Sequence, residues 1–174
     1  PRTLEQRTNR NSFSLMSKLG SDVLATVCQP LWNRAAKQMS GFNAYVMLNK
    51  RAYDADYAAW LANPVMSKGS LSATLSNAAL SDGGVNLVAV FDSSLENPQD
   101  SVDDIAYLQV IHQDNTDPAK PVWHAKGFVT NAPRSAGHIQ VTNPFTTGVG
   151  DKLIMSLSFK SVDGREVATS SSHS

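Results

Sequence analysis

The sequence predicts an α+β chain, with an N-terminal helical segment over residues 1–63 followed by an immunoglobulin-like antiparallel β-sandwich over residues 64–174. Three observations predict it. Apolar residues recur three and four apart from Phe13 to Leu31, the period of a helix with one apolar stripe. From about Asn63 the content of Ser, Thr, Gly and Asp rises, and short runs alternate between apolar and polar positions. Turn signals separate those runs at the spacing of a β-sandwich.

The helical segment opens on Thr3-Leu4-Glu5-Gln6, a capping box in which Thr3 caps and Gln6 reaches back. Phe13, Met16, Leu19, Val23, Val27 and Leu31 form the stripe. It is too apolar to stay wet, so it must cover the sandwich or a partner. Gly20-Ser21-Asp22 predicts the stop of one helix and the cap of the next. Pro30 predicts a kink or break, because it donates no helix hydrogen bond. Helical composition resumes from Leu31 to Met39 and breaks at Ser40-Gly41. A final short helix follows over Phe42–Tyr53.

Seven strands are expected, over 69–75, 85–91, 105–112, 122–130, 138–141, 153–159 and 166–170. The clearest is 153–159, where Leu153, Met155, Leu157 and Phe159 alternate with Ile154, Ser156, Ser158 and Lys160. Asp163-Gly164 behind it is a good hairpin turn. Ser170 to Ser174 reads as a frayed tail.

Composition bounds the function. A chain of 174 residues suits one domain, or one domain with a helical appendage. Charged residues are only 17%, against about 25% in an ordinary soluble domain. Ser, Thr, Asn and Gln supply the missing polarity. The net charge of zero hides a split: residues 1–52 carry eight basic against two acidic residues, and residues 53–174 seven against thirteen. Such asymmetry fits nucleic-acid or membrane contact by the basic half, contact between one half and the other half of a neighbouring copy, or simply a solvated helix face. The single Cys28 excludes an intramolecular disulfide, and its apolar setting predicts an inert thiol. No apolar run reaches about 18 residues, so no membrane span is expected. No signal peptide is visible. The start at Pro1 reads as a processed or incomplete product.

No catalytic pattern stands out, and the chain is expected not to be an enzyme and to hold no cofactor or metal. His112, His124, His138 and His173 lack zinc-ligand spacing. Asp92, Glu96, Asp100, Asp103 and Asp104 read as a solvated acidic loop without the spacing of a calcium loop. Neither a nucleophile elbow nor a phosphate loop occurs. Nucleic acid is not the expected partner, because the basic helix has one neighbouring aromatic, Phe13, and no docking motif.

The chain resembles an uncharacterised domain family abundant in Bacteroidota. The resemblance rests on Pro1-Arg2-Thr3 with Gln6, Arg10 and Phe13-Ser14-Leu15, then on Phe42-Asn43-Ala44 with Val46 and Asn49. It continues through Ser67-Lys68-Gly69-Ser70-Leu71 and the ending Phe159 to Val167. Members have no assigned activity, so the resemblance carries over no catalytic residue. Its relatives begin with a glycine-rich stretch that this chain lacks, which implies an open sheet edge if that stretch pairs as strands. They also carry a turn where this chain has Tyr53-Asp54-Ala55-Asp56-Tyr57.

These readings combine into one expectation. The chain is a non-enzymatic structural or assembly subunit of a virion or an extracellular surface assembly. Its partners are other copies or other structural subunits, with no small-molecule substrate. Arg2, Arg7, Arg10 and Lys18 are the expected interface residues. The alternative is a glycan-binding or adhesive module that uses Trp60, Trp123 and Tyr107 as sugar-stacking faces.

Overall fold

The stripe on the first helix does find a cover, and that cover is a β-sheet. In the computed structural model, which describes residues 3–34 and 36–173, the chain forms three layers. The helices are α1 (Leu4–Asp22), α2 (Gln29–Trp32), α3 (Gly41–Ala55) and α4 (Tyr57–Ala62), with a π turn at Leu24–Cys28. The strands are β1 (Leu75–Ser81), β2 (Asn86–Phe91), β3 (Ile105–Asp114), β4 (Val122–Pro133), β5 (His138–Thr142), β6 (Lys152–Lys160) and β7 (Ser171–His173). A three-stranded sheet runs β1-β2-β5 and a four-stranded sheet runs β4-β3-β6-β7. Every pairing within the two sheets is antiparallel. The four-stranded sheet lies in the middle, with helices on one face and the smaller sheet on the other.

Burial follows from this layering. Met16, Leu19, Val23, Val27 and Leu31 pack with Tyr45, Val46 and Trp60 onto Tyr107, Ile111, Ala125 and Ile154. On the opposite face, Leu108, Val110, Met155, Leu157 and Phe159 pack with Leu87, Ala89, Phe91 and Ile139. β3 and β6 are therefore buried on both faces. Ser156 and Ser158 of β6 are buried on the helix-facing side and must find partners inside. The Ser158 and Ser67 hydroxyls lie 2.6 Å apart, and those of Ser156 and Ser172 2.7 Å apart. Tyr45 donates to Oε1 of the buried Gln109 at 2.9 Å, and burial pushes the tyrosine hydroxyl far above its ordinary pKa.

Several local expectations are corrected. The capping box at Thr3 and Gln6 forms, but α1 does not stop at Gly20. A Cβ there would lie 3.0 Å from Phe42 Cε2, so the glycine lets α3 approach α1. The irregularity near Pro30 sits one turn earlier, as the π turn, and Pro30 falls in the first turn of α2, where its missing donor costs least. The helical run to Met39 ends at Trp32. α4 was not anticipated; Asp56 caps it by accepting the Ala59 N–H at 3.0 Å. The first strand begins at Leu75, and Leu71 forms only an isolated bridge to Ala168. The tail is no frayed end: β7 pairs with β6, and the Ser170 hydroxyl accepts the Met66 N–H at 3.0 Å.

Asn49 fastens the end of the helical layer. Its amide donates to Tyr45 O (3.0 Å) and Val65 O (2.7 Å). Its oxygen accepts from Trp60 Nε1 (2.9 Å) and Val65 N (3.0 Å). The Trp60 Nε1–H is buried and the Val65 amide and carbonyl are part-buried, so truncation would leave the indole donor without a partner and the Val65 groups poorly satisfied. Asn49→Ala is expected to lower stability by about 2–4 kcal/mol, given about 1–3 kcal/mol per orphaned buried group. Urea unfolding followed by tryptophan fluorescence checks it.

Candidate interaction surface

Arg7 and Arg10 are exposed on α1, whereas Arg2 lies outside the described residues. Lys18 is already engaged. It pairs with Asp22 at 2.7 Å, and the same carboxylate oxygen accepts the Ala125 N–H of β4 at 3.1 Å. Lys18 therefore belongs to the seam between α1 and the sheet. Asp22 also satisfies part of the β4 edge, Lys126 is exposed beside it, and Pro133 ends the strand. These features blunt the edge that strand addition would need.

The structural boundary redraws the charge split. Asp54 and Asp56 belong to the helical layer, so residues 1–63 carry eight basic against four acidic residues, and residues 64–174 seven against eleven. The balance becomes +4 and −4. Among the described residues no ion pair joins the helical layer to the sheets. The nearest equivalent is Lys160, whose ammonium donates to the Pro30 carbonyl at 2.8 Å.

Between α1 and α3, on the side away from the sheets, runs a groove of about 590 Å3. Its apolar lining is Phe13, Met39, Phe42, Val46 and Met47, and Lys50, Arg51 and Asp54 stand at its rim. Phe13 is 55% exposed and Met47 50%. Arg10 stands one helical turn before Phe13. Lys50 pairs with Asp54 and donates to Asn9 Oδ1 at 3.1 Å. Phe13 thus belongs to the stripe by sequence period but to the surface by position, because Gly20 and Met16 take the inner track.

The acidic loop is not uniformly solvated. Asp92, Glu96 and Asp103 are exposed, but Asp100 and Asp104 turn inward onto Arg134. The guanidinium is 1% exposed. It reaches Asp104 Oδ2 at 3.2 Å and Asp100 Oδ1 at 3.4 Å, donates to Ser72 O at 2.9 Å, and lies 4.1 Å over the Phe159 ring. Asp100 also accepts from the amides of Ser72, Glu96 and Asn97 and from the Ser72 hydroxyl. Burial pushes the Asp100 pKa up, but these hydrogen bonds and the Arg134 charge outweigh it, so the carboxyl stays below the usual range. Sequence reasoning missed Arg134, since its partners lie 30 and 34 residues away.

A second polar cluster was equally hidden. His112 Nε2 donates to Asp151 Oδ2 at 2.9 Å, and both side chains are buried. Asp151 also accepts the Gly148 and Asn115 amides, each at 2.8 Å. His112 lies 6.2 Å from His124 and 5.0 Å from Phe145, ring to ring. Among the described residues His112 Nδ1 has no hydrogen-bond partner, so no hydroxyl or thiol is set against it as a nucleophile. The pair pins the loop before β6 to β3. Among the described residues no three His, Cys, Asp or Glu side chains converge as metal ligands. Cys28 is buried, its S–H directed to Gly20 O at 3.6 Å, and burial pushes its thiol up to about 12. No described helix is long and apolar enough to cross a membrane.

The aromatics of the glycan alternative are placed differently from that expectation. Trp60 and Tyr107 are buried, and Trp123 is half-buried with its ring 5.7 Å from that of Trp60. Trp60 and Tyr107 offer no open face for sugar stacking, whereas Trp123 keeps part of its surface exposed.

No family model, curated protein or solved structure matches this chain.

Two outcomes test the two clusters. Arg134→Met should destabilise the fold by about 3–5 kcal/mol, because it leaves two carboxylates buried without their counter-charge; equilibrium urea unfolding reads it. For Asp151, the Gly148 and Asn115 amides and His112 hold the pKa at about 2, below the ordinary 3.8. A depressed carboxyl stabilises the fold above the unfolded value, and that contribution is lost as pH falls through the folded value. The wild-type urea midpoint should therefore drop from about pH 4 toward pH 2 more steeply than that of Asp151→Asn. The two curves should converge at the acid end.

Proposed function

We propose that the chain is a non-enzymatic structural subunit that works as copies packed together, in a virion or an extracellular surface assembly. Its β part is read as an immunoglobulin-like sandwich. The strand order supports this: first, second and fifth strands in one sheet, and fourth, third, sixth and seventh in the other.

One observation carries the assembly reading. The helices fold back on the sheets through apolar contacts, yet no described ion pair joins the two parts. A monomer that neutralised its own asymmetry would place basic helix residues against acidic sheet residues. Instead Arg7, Arg10 and Arg51 face outward from the helical layer, while Asp92, Glu96 and Asp103 face outward from the sheets. Unlike surfaces on one chain favour head-to-tail packing and disfavour contact between like faces. Such a contact closes into a ring or extends as a filament, according to its rotation.

Sedimentation velocity across a concentration series, at low and at moderate salt, tests the reading. Association that rises with concentration and weakens with salt is expected. Arg7→Glu with Arg10→Glu should weaken it about tenfold or more while shifting the urea midpoint little, since exposed charges contribute little to stability. A sharp monomer under every condition sinks the proposal.

A further inference from the structure

We infer that the groove between α1 and α3 receives the 92–103 loop of a second copy, with Leu95 and Val102 entering among Phe13, Met39 and Met47. The inference rests on the assembly reading and names its two surfaces. The loop carries the complement of the groove. Leu95 is 51% exposed and Val102 47% exposed, and around them stand the exposed carboxylates Asp92, Glu96 and Asp103. The groove has exposed apolar side chains, with the exposed Arg51 at its rim and Arg10 one turn before Phe13, while Lys50 is already paired with Asp54. Apolar groups therefore meet apolar groups while the rims oppose unlike charges.

The loop is also held in shape before it docks. Asp100 gathers the amides of Glu96 and Asn97. Asp104 accepts the Ser101 N–H at 2.9 Å, and the Val102 carbonyl accepts from Ser135 N at 3.0 Å. Arg134 locks both carboxylates from below. A loop fixed in this way loses little freedom on binding. It cannot reach its own groove. The loop is anchored beside Ser70, Ser72 and Arg134 at the sheets, whereas the groove opens on the far side of the helical layer. The occupant is therefore another copy, and the contact is heterologous.

Two double variants test this, both on exposed positions: Phe13→Ser with Met47→Ser, and Leu95→Ser with Val102→Ser. Circular dichroism and the urea midpoint confirm that each folds. Sedimentation equilibrium is then run on wild type, on each variant alone and on their equimolar mixture. Each variant alone is expected to be monomeric at concentrations where wild type associates. The mixture should form dimers and nothing larger, because one intact groove and one intact loop remain per pair. If both variants associate as wild type does, the docking is overturned while the assembly reading stands. If the variants stay monomeric even when mixed, a groove-to-loop contact is overturned in favour of a like-to-like one. If wild type itself is monomeric throughout, both readings fall.

Discussion

The four-stranded sheet is covered on both faces, and most of the molecule answers to that constraint. A sheet with one wet face tolerates any polar residue there. A sheet with two dry faces favours pairing of the polar groups on it, and among the described residues most are paired, with Gln109 Nε2, His112 Nδ1 and Gln113 Oε1 of β3 as exceptions. Gln109, Ser156 and Ser158 lie on the helix-facing side of β3 and β6, and their partners come from far along the chain: Tyr45, Ser172 and Ser67. These contacts tie α3, the segment before β1 and the C-terminal strand to one register of the sheet. A slip by one residue would move every one of them to the wrong face and leave buried groups unmatched.

The same constraint governs the ends of the layers. Gly127 faces the helices from β4, where any Cβ would run into Thr26 at the π turn. The turn and the glycine therefore fit each other. A π turn widens the helix by one residue, and this one places Val27 and Cys28 inward, with Leu24 left exposed. At the opposite side of the sheet, Arg134 fills the space under Phe159 and gathers the loop between β2 and β3. A buried ion group of this kind is weak support for stability compared with apolar packing. What it contributes here is a fixed loop conformation.

Period and turn chemistry made much of this legible. β2 to β6 stand close to where alternation places them, and the Thr3 cap is where its spacing requires. The failures share a physical cause. Gly20 has the local look of a helix stop, but its role depends on Phe42 and Val46 of another helix. β7 is short and made of Ser and His, so nothing in it alternates. Its place comes from hydroxyl contacts with Ser156 and from pairing to β6. The strand expected over 69–75 stops where β1 begins, because Leu75–Ser81 has only Leu75, Ala78, Ala79 and Leu80 as apolar residues and they do not alternate; the strand exists through pairing with β2. The buried Arg134 and the His112–Asp151 pair are contacts across 30 to 39 residues, beyond the reach of any local pattern. For the interaction surface, charge asymmetry pointed to α1. It could not separate Lys18, consumed by Asp22, from Arg10, which stays exposed.

Layer order also explains why the surface charges are left over. Each face of the central sheet is sealed by apolar contacts, so the basic residues of the helices project away from it on one side. The acidic loop belongs to the edge where the smaller sheet joins β3. Between them stand two apolar cores in series. Charges so separated are screened from one another over a Debye length of about 8 Å at physiological salt. They therefore do little to hold the fold together, and are left to act on whatever approaches from outside. The interior of this protein is built to be complete without its net charge asymmetry. A surface feature that folding does not use is free to serve contact with another molecule, which is the role the proposed packing of copies would give it.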